Sequence, residues 1–176
     1  MAYQYCVTLC KPDAVSRKLV GDILHRFEKR GLDLVDLKFV RMTEQQIRLF
    51  YSDKATESFF PDLLAFLLSG PVVAAAWSGE DAIEKGRQVI GEKDPLASEA
   101  GTIRGSMADN RIHSLVHGSR SPKEAENELK ILWPERWEGT PVPAAERPPV
   151  DAPKEVPTER SWNWDQTEEA EPLTSW

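Results

Sequence analysis

Val72 to Trp77 restricts the architecture of this chain more than any other stretch: Val-Val-Ala-Ala-Ala-Trp holds no polar side chain in six positions. The run follows Gly70-Pro71 and falls far short of the ~20 apolar residues of a membrane span. It reads as an interior β-strand covered on both faces.

The remaining elements alternate around it. Tyr3 to Leu9 mixes aromatic, thiol and β-branched residues and reads as a strand ending at Lys11-Pro12-Asp13. Leu19, Val20, Ile23, Leu24 and Phe27 mark an amphipathic helix that stops at Gly31, with His25 beside its apolar face. Leu34 to Val40 alternates, with Val35, Leu37 and Phe39 on one side and Asp36 and Lys38 on the other, as in a half-exposed strand. Thr43 and Gln46 have capping-box spacing for a short helix reaching Tyr51. Phe59 to Ser69 is a strongly apolar helix with Pro61 near its start and Gly70 as its stop. Beyond the interior strand, Ser78 is expected to cap a helix through about Ile90. From Gly91 to about Ile112 no periodicity is visible, and a structureless connection of ~20 residues inside a compact domain is generally functional or disordered. It carries Lys93, Arg104 and Arg111, a composition suited to an anion. The order of elements gives an α+β, ferredoxin-like sandwich: a four-stranded antiparallel sheet covered by helices, expected over one face.

Ser114 to Ser121 reads Ser-Leu-Val-His-Gly-Ser-Arg-Ser, a short apolar strand running into His117. Ser121-Pro122-Lys123-Glu124 then opens a helix, with proline at its first position and a second capping-box spacing. That helix places Ala125, Glu128, Leu129 and Leu132 on one stripe, so Glu128 faces the core. A carboxylate there needs a partner. His117 flanks the same tight connection, and the economical pairing has Glu128 orienting one imidazole nitrogen while the other stays free to react. The bland reading has a structural histidine and a Glu128 that reaches solvent.

Composition divides the chain. Gly139 to Trp176 holds three basic and eight acidic residues, net -5, leaving 19 basic and 21 acidic, net -2, in the first 138. A nearly neutral body argues against nucleic-acid binding by a basic surface, while a local positive cleft stays open. The domain is therefore read as 1–138, with 139–176 as a Pro-rich acidic C-terminal extension bearing Trp162, Trp164 and Trp176. Cys6 and Cys10 share one strand about 13 Å apart and cannot bridge each other. Buried thiols, no basic-then-apolar leader and no spanning segment together read as a cytoplasmic protein without a membrane partner.

The polar candidates are Lys11, Tyr51, Arg87, Arg104, His117 and Glu128, with Lys93, Arg111 and Arg120 as further cations. Cations around a histidine suit phosphoryl chemistry, where catalysis is largely positioning and charge neutralisation. No Walker loop and no paired-Cys or His cluster for zinc is present in the sequence.

At this point the chain resembles the nucleoside diphosphate kinases, colinearly from about Tyr3 to Trp133. The resemblance is carried by Lys11-Pro12-Asp13, Leu19-Val20-Gly21, Arg26-Phe27-Glu28, Phe59-Phe60, Ser69-Gly70-Pro71-Val72-Val73-Ala74, Gly101-Thr102-Ile103-Arg104-Gly105 and His117-Gly118-Ser119. It implies ping-pong transfer of the γ-phosphate of a nucleoside triphosphate to a nucleoside diphosphate through a phosphohistidine. It also implies Mg2+ held mainly by the nucleotide phosphates, with no protein metal site, and a homo-oligomer, tetramer or hexamer, built from dimers. By the resemblance His117 matches the nucleophile and Glu128 its orienting carboxylate. Lys11, Tyr51, Arg87 and Arg104 match groups around the phosphates and the histidine, Phe59 the ring that stacks on the base, and Ser119 the hydroxyl after the active-site glycine.

Four positions depart from the family pattern. Ser114 replaces an asparagine that reaches the sugar, Lys93 a phosphate-contacting threonine, Arg111 a small apolar residue over the base, and Arg120 an aspartate. Lys93 retains the ability to bind phosphate, and Arg111 could stack on a base by cation-π contact. The alternative reading is a catalytically weak nucleotide-binding interaction module of the same fold.

Overall fold

The computed structural model describes residues 3–137 and residue 145. The expectations for the rest of the extension from 139 onward lie outside these residues. Four strands, β1 (Tyr3–Cys10), β2 (Asp33–Val40), β3 (Val72–Glu80) and β4 (Val116–Gly118), form one antiparallel sheet in the order β2-β3-β1-β4. Helices α1 (Pro12–Ser16), α2 (Val20–Lys29), α5 (Ala82–Ile90) and α6 (Ile103–Met107) contribute to one core cluster. Helices α3 (Glu44–Phe50), α4 (Phe60–Leu68), α7 (Pro122–Leu132) and α8 (Pro134–Trp137) contribute to the other.

The sheet is thus sandwiched between two helical layers, and the expectation of helices over one face is corrected. The reason lies in β3. Val73, Ala75 and Trp77 pack with Ile23, Phe27 and Ile83 on one side, whereas Val72, Ala74 and Ala76 pack with Ile47, Leu63, Leu67 and Leu129 on the other. A fully buried Val, Leu, Ile or Phe side chain contributes about 1.5–3 kcal/mol, so neither face of such a strand tolerates water. Trp77 stacks on Phe27 at 5.2 Å between centroids, and its indole N–H donates to Thr8 Oγ1 at 2.9 Å.

Three local expectations are revised. Ser78 does not cap a helix: it lies in β3 opposite Tyr5 and Asp33, its backbone within the ladder, and Asp81, at φ +52°, makes the turn into α5. In β2 a register shift between Leu34 and Asp36 breaks the alternation. Val35 packs with Val40 on the α7 side, while Leu37 and Phe39 stand out on the opposite side, 46% and 69% exposed. The Gly91 to Ile112 connection is not structureless. It contains a 3-10 turn at Pro95–Ala97 capped by Asp94, and α6, where Thr102 Oγ1 accepts the Gly105 N–H. A Cβ at Gly105 would stand 2.2 Å from the Glu99 carbonyl oxygen, so only glycine lets the loop fold onto itself and present Arg104.

Candidate active site

His117 sits in the middle of β4, opposite Leu9 of β1, so the ladder fixes its backbone. Two residues earlier Leu115 adopts φ +66°, an uncommon conformation for a bulky side chain. Backbone bonds hold it there: its N–H donates to Asp13 Oδ2 at 3.0 Å and its carbonyl accepts from the Lys11 N–H at 2.8 Å. On the far side of β4, a Cβ at Gly118 would lie 2.3 Å from Ile90 Cδ1, so glycine lets α5 pack close behind the histidine.

The imidazole is gripped from two directions. Phe50 and Tyr51 pack on it edgewise, with centroids at 4.9 and 5.5 Å. Its Nε2 lies 2.6 Å from Glu128 Oε1, and Ser119 donates its hydroxyl to Glu128 Oε2 at 2.5 Å. Glu128 is 1% exposed, as its place on the buried stripe of α7 requires. Two donors converge on one carboxylate, which sets the tautomer: Nε2 carries the proton and Nδ1 keeps the lone pair. Ser119 is itself pinned, accepting the Val7 N–H at 2.8 Å. Ser121 caps α7 through the Glu124 N–H, but the reciprocal half of the capping box is absent: the Glu124 carboxylate accepts from the Arg120 N–H instead.

Cations gather at the same place. Lys11 is buried, and its amine donates to Ser114 Oγ at 2.8 Å and to the Ile112 carbonyl at 3.1 Å. Burial brings its ionisation down to about 7, with the charges of Arg104 and Lys54 acting in the same direction against that of Asp13. Arg104 donates to the Val116 carbonyl at 2.9 Å and more loosely to those of Gly91 and Glu92. Burial also lowers the Arg104 ionisation, opposed by Tyr51 and assisted by Arg87. Burial raises that of the Tyr51 hydroxyl, and the Glu128 charge adds to the effect.

Two buried polar atoms of this group, Tyr51 Oη and Arg104 Nε, have no hydrogen-bond partner. A buried donor left unsatisfied costs about 1–3 kcal/mol, and beside an oriented imidazole such atoms are available to an incoming ligand. A separate cavity of about 670 Å³, lined by Pro12, Asp13, Arg41, Phe66, Pro71 and His113 among others, contains neither these groups nor His117. The chemistry follows the orphaned groups, not the volume.

His117, Glu128, Ser119, Tyr51, Lys11, Arg104 and Ser114 are therefore brought together. Arg87 is exposed on α5, its charge felt by Arg104. Phe59, 40% exposed, caps the start of α4, and Lys93 is exposed on its loop; neither makes a hydrogen bond or ring contact with the His117 group. Arg111, expected to be free to stack, donates to Asp94 at 2.8 Å. Sequence reasoning missed Lys54, whose amine lies 5.8 Å from the Tyr51 ring centroid and depresses Lys11. The available signal was its i+3 spacing from Tyr51, which eclipses side chains in a 3-10 turn such as Ser52–Lys54.

Among the described residues, His117, Glu124 and Glu128 are the one His/Cys/Asp/Glu group with ligand atoms close enough for a metal, within 4.8 Å of one another. These atoms are already engaged, Glu128 with His117 and Ser119 and Glu124 with Arg120. The donor set offers a metal no carboxylate cage. No helix among the described residues is long and apolar enough to cross a membrane.

Comparison with known proteins bears on the family and the fold. The family model described as nucleoside diphosphate kinase matches residues 4–137. Nucleoside diphosphate kinase of Halorhodospira halophila is 41% identical over 133 residues, covering 76% of this chain and 94% of that one. The chloroplastic nucleoside diphosphate kinase II of Arabidopsis thaliana is 41% identical over 127 residues, 72% of this chain, which spans 55% of that longer protein. The apo crystal structure of nucleoside diphosphate kinase from Encephalitozoon cuniculi superimposes with a TM-score of 0.74 at 34% identity, over 80% of this chain and 94% of that one.

Proposed function

The chain belongs to the nucleoside diphosphate kinase family, enzymes of nucleotide phosphotransfer, and we propose that it moves the γ-phosphate of a nucleoside triphosphate to a nucleoside diphosphate in two steps through His117. In the first step the Nδ1 lone pair attacks the γ-phosphorus, the bond from phosphorus to the β,γ-bridging oxygen breaks, and the diphosphate leaves. In the second a terminal oxygen of the acceptor diphosphate attacks the same phosphorus and the P–N bond breaks. Glu128 holds the Nε2 proton throughout and stabilises the positive charge that the ring gains. Tyr51 and Arg104 offer donors to the moving phosphoryl oxygens, and Lys11 regains its full charge as the anion arrives.

The observation that carries this reading is the pairing of an oriented imidazole with two orphaned donors beside it. Phe59 stacks on the base without reading its edges, Arg87 and Lys93 meet phosphates at the rim, and Ser114 acts through Lys11. Mg2+ bound to the triphosphate oxygens supplies charge neutralisation. A cleft of cations whose carboxylates are already committed suits a metal that arrives with the nucleotide.

The working unit is 1–138, in the cytoplasm. The exposed Leu37 and Phe39 of edge strand β2 support a homo-oligomer built from dimers, as a tetramer or hexamer. Incubation with γ-labelled ATP is expected to give an acid-labile, base-stable label that His117→Ala abolishes and that added GDP removes. Nucleotide retention without labelling would favour the binding module.

A further inference from the structure

We propose that Arg120 is a positioning residue of the phosphotransfer site: it is the counter-ion that holds the Glu124 carboxylate away from the phosphate path and ties it to Asp53. This rests on the kinase reading above. Arg120 meets Glu124 through its Nε at 3.1 and 3.0 Å, its Nη2 at 2.8 Å and its backbone N–H at 2.8 Å. The same Nη2 reaches Asp53 at 2.8 Å.

Glu124 is no ordinary surface acid. Its carboxylate belongs to the His117, Glu124 and Glu128 group whose polar atoms lie within 4.8 Å of one another, and its side chain is 18% exposed. A second carboxylate so close to a nucleophile would repel a triphosphate unless its charge were cancelled. Arg120 cancels it with a planar fork matched to both carboxylate oxygens. The Asp53 contact spans from the β4 to α7 connection to the 3-10 turn carrying Lys54, next to Tyr51. One side chain therefore sets both the charge and the spacing of the two walls beside His117.

The test compares single-turnover labelling by γ-labelled ATP in four full-length proteins, with kcat and KM measured in parallel. Arg120→Ala is expected to lower the labelling rate about tenfold, chiefly through KM, because the freed Glu124 repels every phosphate-bearing state. Arg120→Ala with Glu124→Gln is expected to recover to within about threefold of the unchanged protein, and Arg120→Lys, which keeps the charge but loses the planar fork, to fall by about three- to fivefold. Labelling in Arg120→Ala as fast as in the unchanged protein would overturn the proposal. So would a double variant as slow as the single one, since a purely structural tie is not mended by neutralising its partner. Should Arg120→Ala fail to fold, a fall of more than tenfold in Arg120→Lys would overturn the counter-ion role by itself. Absence of label on the unchanged protein would instead remove the kinase reading.

Discussion

Glu128 Oε1 stands 2.6 Å from His117 Nε2, and the two residues come from β4 and from the second turn of α7, on either side of the short connection 119–121. The carboxylate has no freedom to leave, because its second oxygen is held by Ser119 and its helix face is buried. The imidazole is consequently preset in the tautomer that exposes Nδ1.

Glu128→Gln is expected to keep the fold and slow labelling of His117 by about 10- to 100-fold, the range over which weakening the group behind a metal-bound imidazole acts. Glutamine offers His117 only a neutral amide oxygen, while its NH2 can donate to the Ser119 hydroxyl, which turns toward the Val7 carbonyl, so the imidazole keeps a weaker acceptor and loses the balancing charge. Rapid-quench labelling in a single turnover measures the step directly. Labelling at the unchanged rate would show that orientation does not depend on this carboxylate.

Tyr51→Phe separates stability from chemistry. The hydroxyl has no partner in the free protein while its ring packs on His117 at 5.5 Å, so its removal is expected to leave the melting temperature unchanged or slightly raised. Losing a donor to the phosphoryl oxygens is expected to lower kcat/KM about tenfold. Scanning calorimetry and steady-state kinetics on the same preparation check both halves.

How much of this was legible in the sequence follows from the range of each interaction. The His117 to Glu128 pair was readable because both partners lie near one connection, and helical periodicity alone turns Glu128 inward. The tier formed by Val72, Ala74 and Ala76 was implied by an all-apolar strand, yet the helices that cover it come from distant segments whose docking side no local period encodes. Val35 was misplaced because a one-residue bulge moves a side chain to the other face without changing the sequence pattern. Arg120 was readable only as a further cation because its partner Asp53 is chosen by the tertiary approach of two loops, whereas Lys54 escaped although the Tyr51 ring lies only three residues away in the same turn.

Gly105→Ala tests the loop that presents Arg104. With a Cβ only 2.2 Å from a backbone oxygen of Glu99, the connection must shift, at about 1–3 kcal/mol of stability. Arg104 would move with it, away from the Val116 carbonyl beside His117. A lowered melting temperature together with a raised KM for the triphosphate is expected. A drop in stability alone would show that Arg104 keeps its place.

Lys11 makes the pH dependence specific. Its ionisation falls from the ordinary 10.5 to about 7, so between these values the unfolded chain binds a proton that the folded protein lacks. Stability of the nucleotide-free protein therefore rises with pH from about 7 to about 9, and the Lys11 contribution is lowest below about 7, where folding must bury the ammonium; above about 9 the Cys6 and Cys10 thiols, pushed up to about 12 by burial, act in the opposite direction. A bound triphosphate reverses the cause by surrounding the amine with negative oxygens, which raises its ionisation again. Nucleotide binding near pH 8 is accordingly expected to take up a proton, by up to ~1 per site. Titration calorimetry in two buffers of different ionisation enthalpy measures that uptake. Lys11→Met is expected to abolish the uptake and flatten the stability profile between pH 7 and about 9, below the range of the buried Cys6 and Cys10 thiols. Equal binding enthalpies in both buffers for the unchanged protein would show that the amine is already charged before nucleotide arrives.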